Sequence, residues 1–138
     1  MRQIEYIFID FNRETRDGKS SHHAIPNLGY HYVVNSQGLV LNPTDTSIPA
    51  HIIQGPNYDR NKYNRFSIFI RYCGSLEPGT LNFELRVALL NLLVELRSRF
   101  PEAKILGLSE LDGRELYHKN IIVSDAMNLL RSELSDLP

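Results

Sequence analysis

The chain has 138 residues, 42% of them hydrophobic and 22% charged, with a formal net charge of -1. Such a chain is one globular domain, residues 1–138, long enough to bury a core without disulfides or a structural metal. The near-neutral balance excludes the polybasic surface of a nucleic-acid or acidic-membrane binder, and no run approaches the roughly 18 apolar residues of a spanning helix. Neither nucleic acid nor membrane is therefore an expected partner. Met1-Arg2-Gln3-Ile4-Glu5 carries no apolar signal region, so the expected location is cytoplasmic. The lone Cys73 ends an apolar run and reads as a buried, inert thiol.

Ile4 to Phe11 is a short apolar run rich in Ile, Phe and Tyr, the pattern of a buried central strand. Asn12 to Leu28 is polar and carries turn signals at Asp17-Gly18 and Pro26-Asn27. Tyr30 to Val34 reads as a second strand, with Tyr30, Tyr32 and Val34 on one face, and Leu39 to Asn42 as its return across a hairpin at Ser36-Gln37-Gly38. Thr44 to Asn64 reads mostly as loop, extended around Asn57 to Tyr63. Arg65 to Cys73 follows as a long strand.

Thr80 is expected to cap the strongest helix. Leu85, Leu89, Leu92, Leu93, Leu96 and Phe100 recur there at spacings of three and four, and Pro101 ends it. Lys104 to Gly107 is a short strand and Leu111 to Asn120 a polar loop. Ser124 and Asp125 are expected to open a last helix with Met127, Leu130, Leu134 and Leu137 inward. The order implies an α/β fold, a central mixed β-sheet flanked by helices.

Several local motifs occur in an order that resembles the type 2 N-acetylmuramoyl-L-alanine amidases. That family includes phage amidases called lysozymes and the animal peptidoglycan recognition proteins. The matching segments are Gly29-Tyr30-His31-Tyr32, Pro49-Ala50-His51-Ile52, Phe66-Ser67-Ile68-Phe69-Ile70, the Leu-rich helix, and Ile105-Leu106-Gly107-Leu108-Ser109-Glu110. The resemblance spans nearly the whole chain, although the stretch before Gly29 is shorter than usual. It implies a zinc site built from three protein ligands. The family's ligand positions fall here on Asp10, Leu108 and Ile121. Leucine and isoleucine have no donor atom, and one carboxylate cannot hold zinc at useful affinity. The expectation is a chain without the family's zinc cofactor. The resemblance also places Tyr30 and Lys119 at positions that assist the reacting carbonyl, and His51 along the groove. Those three are the vestigial catalytic and substrate-binding candidates. Against that stand a strand tyrosine, a solvated loop lysine and a structural histidine beside Ile52-Ile53.

The leading expectation is therefore a degenerate, amidase-like pseudoenzyme that binds peptidoglycan fragments, cell-wall muropeptides, rather than hydrolysing them efficiently. A cytoplasmic, phage-derived protein would meet the wall through lysis. One alternative is an active amidase with relocated ligands drawn from Asp10, His51, Glu110 and His118. The other is a protein-interaction module using the aromatic and basic segment with Tyr58, Tyr63 and Phe66 among Arg60, Lys62 and Arg65. No nucleophile elbow or phosphate-binding glycine loop is present.

Overall fold

The computed structural model describes residues 2–11, 29–50, 52, 60–74, 83–110 and 118–137, with the backbone alone at 60–61, 109 and 118–124. It is a mixed α/β domain. The strands are β1 (Tyr6–Phe11), β2 (Tyr32–Val34), β3 (Val40–Leu41), β4 (Ser67–Tyr72) and β5 (Lys104–Gly107). The helices are α1 (Arg60–Arg65), α2 (Phe83–Arg99) and α3 (His118–Ser135), with a 3-10 turn at Leu108–Glu110. The strands form one sheet in the order β3-β2-β4-β1-β5. β1, β2, β4 and β5 are parallel where they pair, and only β3 runs antiparallel, beside β2.

β1 lies between β4 and β5, which explains its apolar run. Ile7, Phe8 and Ile9 are all fully buried, because a strand inside a parallel sheet is covered on both faces. Alternation sends Ile7, Ile9 and Phe11 to one face and Tyr6, Phe8 and Asp10 to the other. The first face meets the Leu stripe of α2 and Met127, Leu130 and Leu134 of α3, the larger of two core clusters. Fully burying each such leucine stabilises the fold by about 1.5–3 kcal/mol. The second face carries a smaller cluster of Phe8, Val33, Phe69, Tyr30, Ala50 and Cys73. Tyr63 of α1 closes over it, its ring centroid 5.4 Å from Tyr6 and 6.0 Å from Phe8.

Long-range polar contacts tie the layers together. The guanidinium of Arg2 donates to the carbonyls of Thr46 (2.8 Å), Arg65 (2.6 Å) and Ser67 (2.9 Å), joining a loop, the end of α1 and the start of β4. Arg131 on α3 reaches the Ile105 carbonyl at 3.1 Å and both carboxylate oxygens of Glu110 at 3.0 Å. Glu110 also accepts from the Gly107 amide at 2.8 Å, so the end of β5, the 3-10 turn and α3 form one bonded unit.

Four sequence expectations need correction. Residues 60–65 are helical rather than an extended loop, a single short element whose only periodic signal is the inward Tyr63. α3 begins at His118, so Lys119 and Ile121 are helical and not part of a loop before Ser124. Its polar first residues, His118-Lys119-Asn120, gave no apolar period to detect. Leu137 lies past the end of α3 and is exposed, not inward. Tyr30 does not share a face with Tyr32 and Val34, because regular pairing starts only at Tyr32. The Asn12–Leu28 segment and Thr80 lie outside the described residues.

Candidate functional site

The late start of β2 has a chemical cause. His31 is fully buried, and its main-chain N–H donates to the Phe69 carbonyl at 2.9 Å. The Phe69 N–H, which a strand residue would bond with a carbonyl, instead donates to Nδ1 of the His31 ring at 3.0 Å. Nδ1 must then be unprotonated, so the proton sits on Nε2 and is donated to the Ile48 carbonyl at 2.7 Å. An Arg2 nitrogen stands 3.0 Å from that same Nε2. Both are donors in this tautomer, so the contact adds no bond and opposes a second ring proton. Burial first, and the Arg2 charge with it, lower the His31 pKa below its ordinary value, outweighing the Ile48 bond and Asp45, which raise it. His31 is a neutral structural strut.

That strut fixes Tyr30. Gly29, at φ 92, turns the chain just before it, a backbone conformation that glycine adopts without strain. The Tyr30 side chain is only 7% exposed and enters the second face, where its hydroxyl donates to Oδ2 of Asp10 at 2.5 Å. Asp10 is the last but one residue of β1. Asp10 is thus at the carboxyl end of β1, the end of open α/β sheets at which ligands bind, and the Tyr30 hydroxyl reaches it from just before the amino end of β2. It is also on the face that α2 and α3 leave free.

Strand register adds what the sequence reading missed. Asp10 pairs with Arg71 of β4, and Arg71 pairs with Val33 of β2. Gly107 pairs with Ile9, so Leu108 is the next position along beside Asp10, and it packs into the same cluster as Phe8 and Tyr30. Val33, Arg71 and Asp10 thus form a row across one face, with Leu108 of the 3-10 turn packed into the cluster on that face. Arg71 is 2% exposed. A buried arginine is rare because removing a charge from water costs several kcal/mol. The sequence signal was available: Arg71 is the one charged residue in the strand Ser67–Tyr72.

Neither a scan against protein-family models nor a search of curated proteins finds a match to this chain.

The expected site residues therefore fall into separate groups. Asp10, Tyr30 and Leu108 come together at one end of the sheet. His51 lies outside the described residues, as does the side chain of Lys119, whose backbone is in the first turn of α3. The donor set does not fit zinc. Leu108 is aliphatic and packed among apolar neighbours, Ile121 is aliphatic, and the Asp10 carboxylate already accepts the Tyr30 hydroxyl. Among the described residues no group of three or more His, Cys, Asp or Glu side chains is placed to hold a metal ion. Of the relocated set, Glu110 is held by Arg131 and the Gly107 amide. Burial raises its pKa, but those two partners together outweigh burial and lower it.

Two surface features lie elsewhere. A groove of about 500 Å³ is lined by Gln3, Glu5, Tyr6, Phe100, Glu102 and Lys104, at the opposite, amino-terminal end of β1 from Asp10. Val40 and Leu41 of the edge strand β3 are exposed, as are Leu39 just before it and Phe83 at the start of α2. No helix among the described residues is long and apolar enough to cross a membrane.

Proposed function

We propose that this chain is a zinc-free, amidase-like domain that binds peptidoglycan fragments at the site around Asp10 and Tyr30 and does not hydrolyse them efficiently. The observation that carries the proposal is the Asp10–Tyr30 hydrogen bond at the carboxyl end of β1, on the face where Leu108 also packs. A polar pair that can hydrogen-bond an amide lies there, and Leu108, packed on the same face, has no atom able to bind metal. The resemblance to type 2 amidases supplies the ligand class, a muropeptide. Lys119 and His51 enter the proposal as further groove contacts through that resemblance alone.

The test is calorimetric titration with N-acetylmuramoyl-L-alanyl-D-isoglutamine, alongside metal analysis and an amide-release assay on peptidoglycan. The proposal expects saturable binding, less than a tenth of a zinc per chain and no turnover that a chelator abolishes. Tyr30→Phe should weaken binding about tenfold, the worth of one hydrogen bond of about 1.4 kcal/mol. One zinc per chain with chelator-sensitive turnover would restore the active-amidase alternative.

A protein-interaction role is the second reading, and a different observation favours it. β3 is an edge strand whose Val40 and Leu41 are exposed, as is Leu39 just before it, and no charged residue lies between Ser36 and Pro43 to block pairing. The segment first suspected of this role fits it less well, since Tyr63 is turned into the core. Tyr58 lies outside the described residues. Absence of muropeptide binding with capture of a partner that Val40→Lys abolishes would favour this reading.

A further inference from the structure

We propose that β3 is the interface of a two-fold homodimer, in which the strand pairs antiparallel with β3 of a second copy about an axis at Val40. The proposal rests on the reading of β3 as a pairing edge, given above as the second function, and names its partner. It is independent of peptidoglycan-fragment binding.

The two edges of the sheet differ. At the β5 edge, exposed Lys104 opens the strand and Arg131 of α3 takes the Ile105 carbonyl at 3.1 Å. A lysine and a covering helix are devices that keep an edge from pairing. β3 carries no charge, and its Val40 and Leu41 are exposed, as is Leu39 just before it.

The hairpin sets which main-chain groups face outward. The Asn35 N–H donates to the Leu39 carbonyl at 2.9 Å, and Val33 lies opposite Leu41 with Val34 opposite Val40. Opposed residues of an antiparallel pair alternate between bonded and non-bonded, so Val34 and Val40 are a non-bonded pair. In agreement, the Val34 carbonyl turns the other way and accepts from the Cys73 N–H at 2.9 Å. The N–H and C=O of Val40 therefore point away from β2, and no described residue bonds them.

A second β3 fits this edge. Pairing about Val40 sets Leu39 of each copy against Leu41 of the other, and the two Val40 residues exchange two main-chain hydrogen bonds. From Ser20 to Thr44 the chain has no Asp, Glu, Lys or Arg, so two copies bring no like charges together along the strand, and a charged foreign segment finds no counter-charge. Phe83 adds apolar surface nearby. A Cβ placed on Gly38 would lie 3.8 Å from the Cβ of Glu84, so the start of α2 is beside the hairpin turn, and Phe83 there is 69% exposed. A two-fold contact closes on itself, and with the β5 edge guarded assembly stops at two. Contacts burying less than about 1,200 Å² are weak, so the expected dissociation constant is on the order of 10–100 µM.

The full chain is followed by sedimentation equilibrium through that concentration range. The expected result is a mass rising from that of one chain toward that of two. Val40→Pro removes only the outward N–H and keeps the bonds to β2, so it should weaken association at least tenfold. A mass of one chain throughout, or a Val40→Pro protein that dimerises like the wild type, overturns the proposal. Cross-linking by copper–phenanthroline oxidation reads the register. The two Val40 Cα atoms would stand about 5.5 Å apart, within reach of a disulfide, so Val40→Cys should link to itself. Leu39→Cys should link to Leu41→Cys in a mixture and at least tenfold more slowly to itself, because its own copy lies diagonally about 7–8 Å away. Cys73 is buried in every version. Self-linking of Leu39→Cys as fast as that of Val40→Cys overturns the proposal. A foreign partner captured through β3 by a chain that stays monomeric also overturns it, while leaving the second function standing. No muropeptide enters these measurements, so failure here and failure of peptidoglycan-fragment binding are seen separately.

Discussion

Mild acid should destabilise this protein through His31, well before the carboxylates titrate. The ring is fully buried, its Nδ1 accepts the Phe69 N–H and its Nε2 donates to the Ile48 carbonyl. A second proton would have to go on Nδ1, replacing that bond with two opposed donors beside the Arg2 guanidinium. The folded-state pKa is accordingly lowered from the ordinary 6.5, with burial as the largest cause. The unfolded chain therefore takes up a proton that the folded chain refuses. The stability contributed is fully present above about pH 6.5 and is lost as pH falls toward the lowered folded-state pKa. One proton gives a limiting slope of about 1.4 kcal/mol per pH unit, large against a total stability of about 5–15 kcal/mol. Urea unfolding at pH 7.5, 6.5, 5.5 and 5.0 would read it as a falling midpoint at constant m-value. His31→Asn is the control. Its side-chain oxygen can accept the Phe69 N–H, so the variant should start about 1–3 kcal/mol less stable and lack this slope. The other histidines are common to both proteins and cancel in the comparison. If wild type and variant show the same slope between pH 7.5 and 5.0, the tautomer and the buried environment assigned to His31 are wrong.

Other substitutions test separate contacts. Arg131→Met removes the bonds to Glu110 and Ile105 and should cost about 1–3 kcal/mol by thermal unfolding, at the lower end because both partners are partly solvated. It should also reduce the part of acid unfolding that Glu110 causes, leaving only the Gly107 amide to lower its pKa. With its pKa lowered, Glu110 contributes stability above its unfolded value of about 4.5 that is lost as pH falls through the folded value. Gly74→Ala places a methyl 2.6 Å from the Tyr72 ring and 2.9 Å from Leu85, both buried, and should cost about 1–3 kcal/mol; an unchanged melting temperature would show that the Tyr72 ring moves freely. Arg2→Ala leaves three carbonyls without their donor and should cost about 1–3 kcal/mol by urea unfolding.

Where one physical signal dominated, the fold was legible in the sequence. The α2 leucines buried in the structure are those of the three-and-four spacing, and β5 has the expected bounds, because apolar periodicity and a closing Pro or Gly fixed them locally. What failed were features set by partners distant in sequence. The start of β2 depends on the His31 ring standing in for a main-chain acceptor on β4, and no local pattern announces that. α1 is too short to show a period, and the polar residues opening α3 hid its first turns. At the site, Asp10, Tyr30 and Leu108 were reached through a family resemblance, and their convergence needed the sheet. Arg71 was different. A charged residue within an otherwise uncharged strand was visible in the sequence, but its burial and its register beside Asp10 needed the sheet.

The place of β1 in the sheet also governs how the chain can fold as it is made. β1 is completed by Phe11, yet its partners are Ser67–Tyr72 and Lys104–Gly107. At synthesis rates of about 5–20 residues per second, its apolar segment waits several seconds for β4 and longer for β5. It therefore emerges from the ribosome before either of its sheet partners exists, and parallel pairing over such separations is slow. Nascent chains arrested before β4 should recruit a hydrophobic-segment chaperone, and release should track the emergence of residues 67–72 rather than of the stable helix α2.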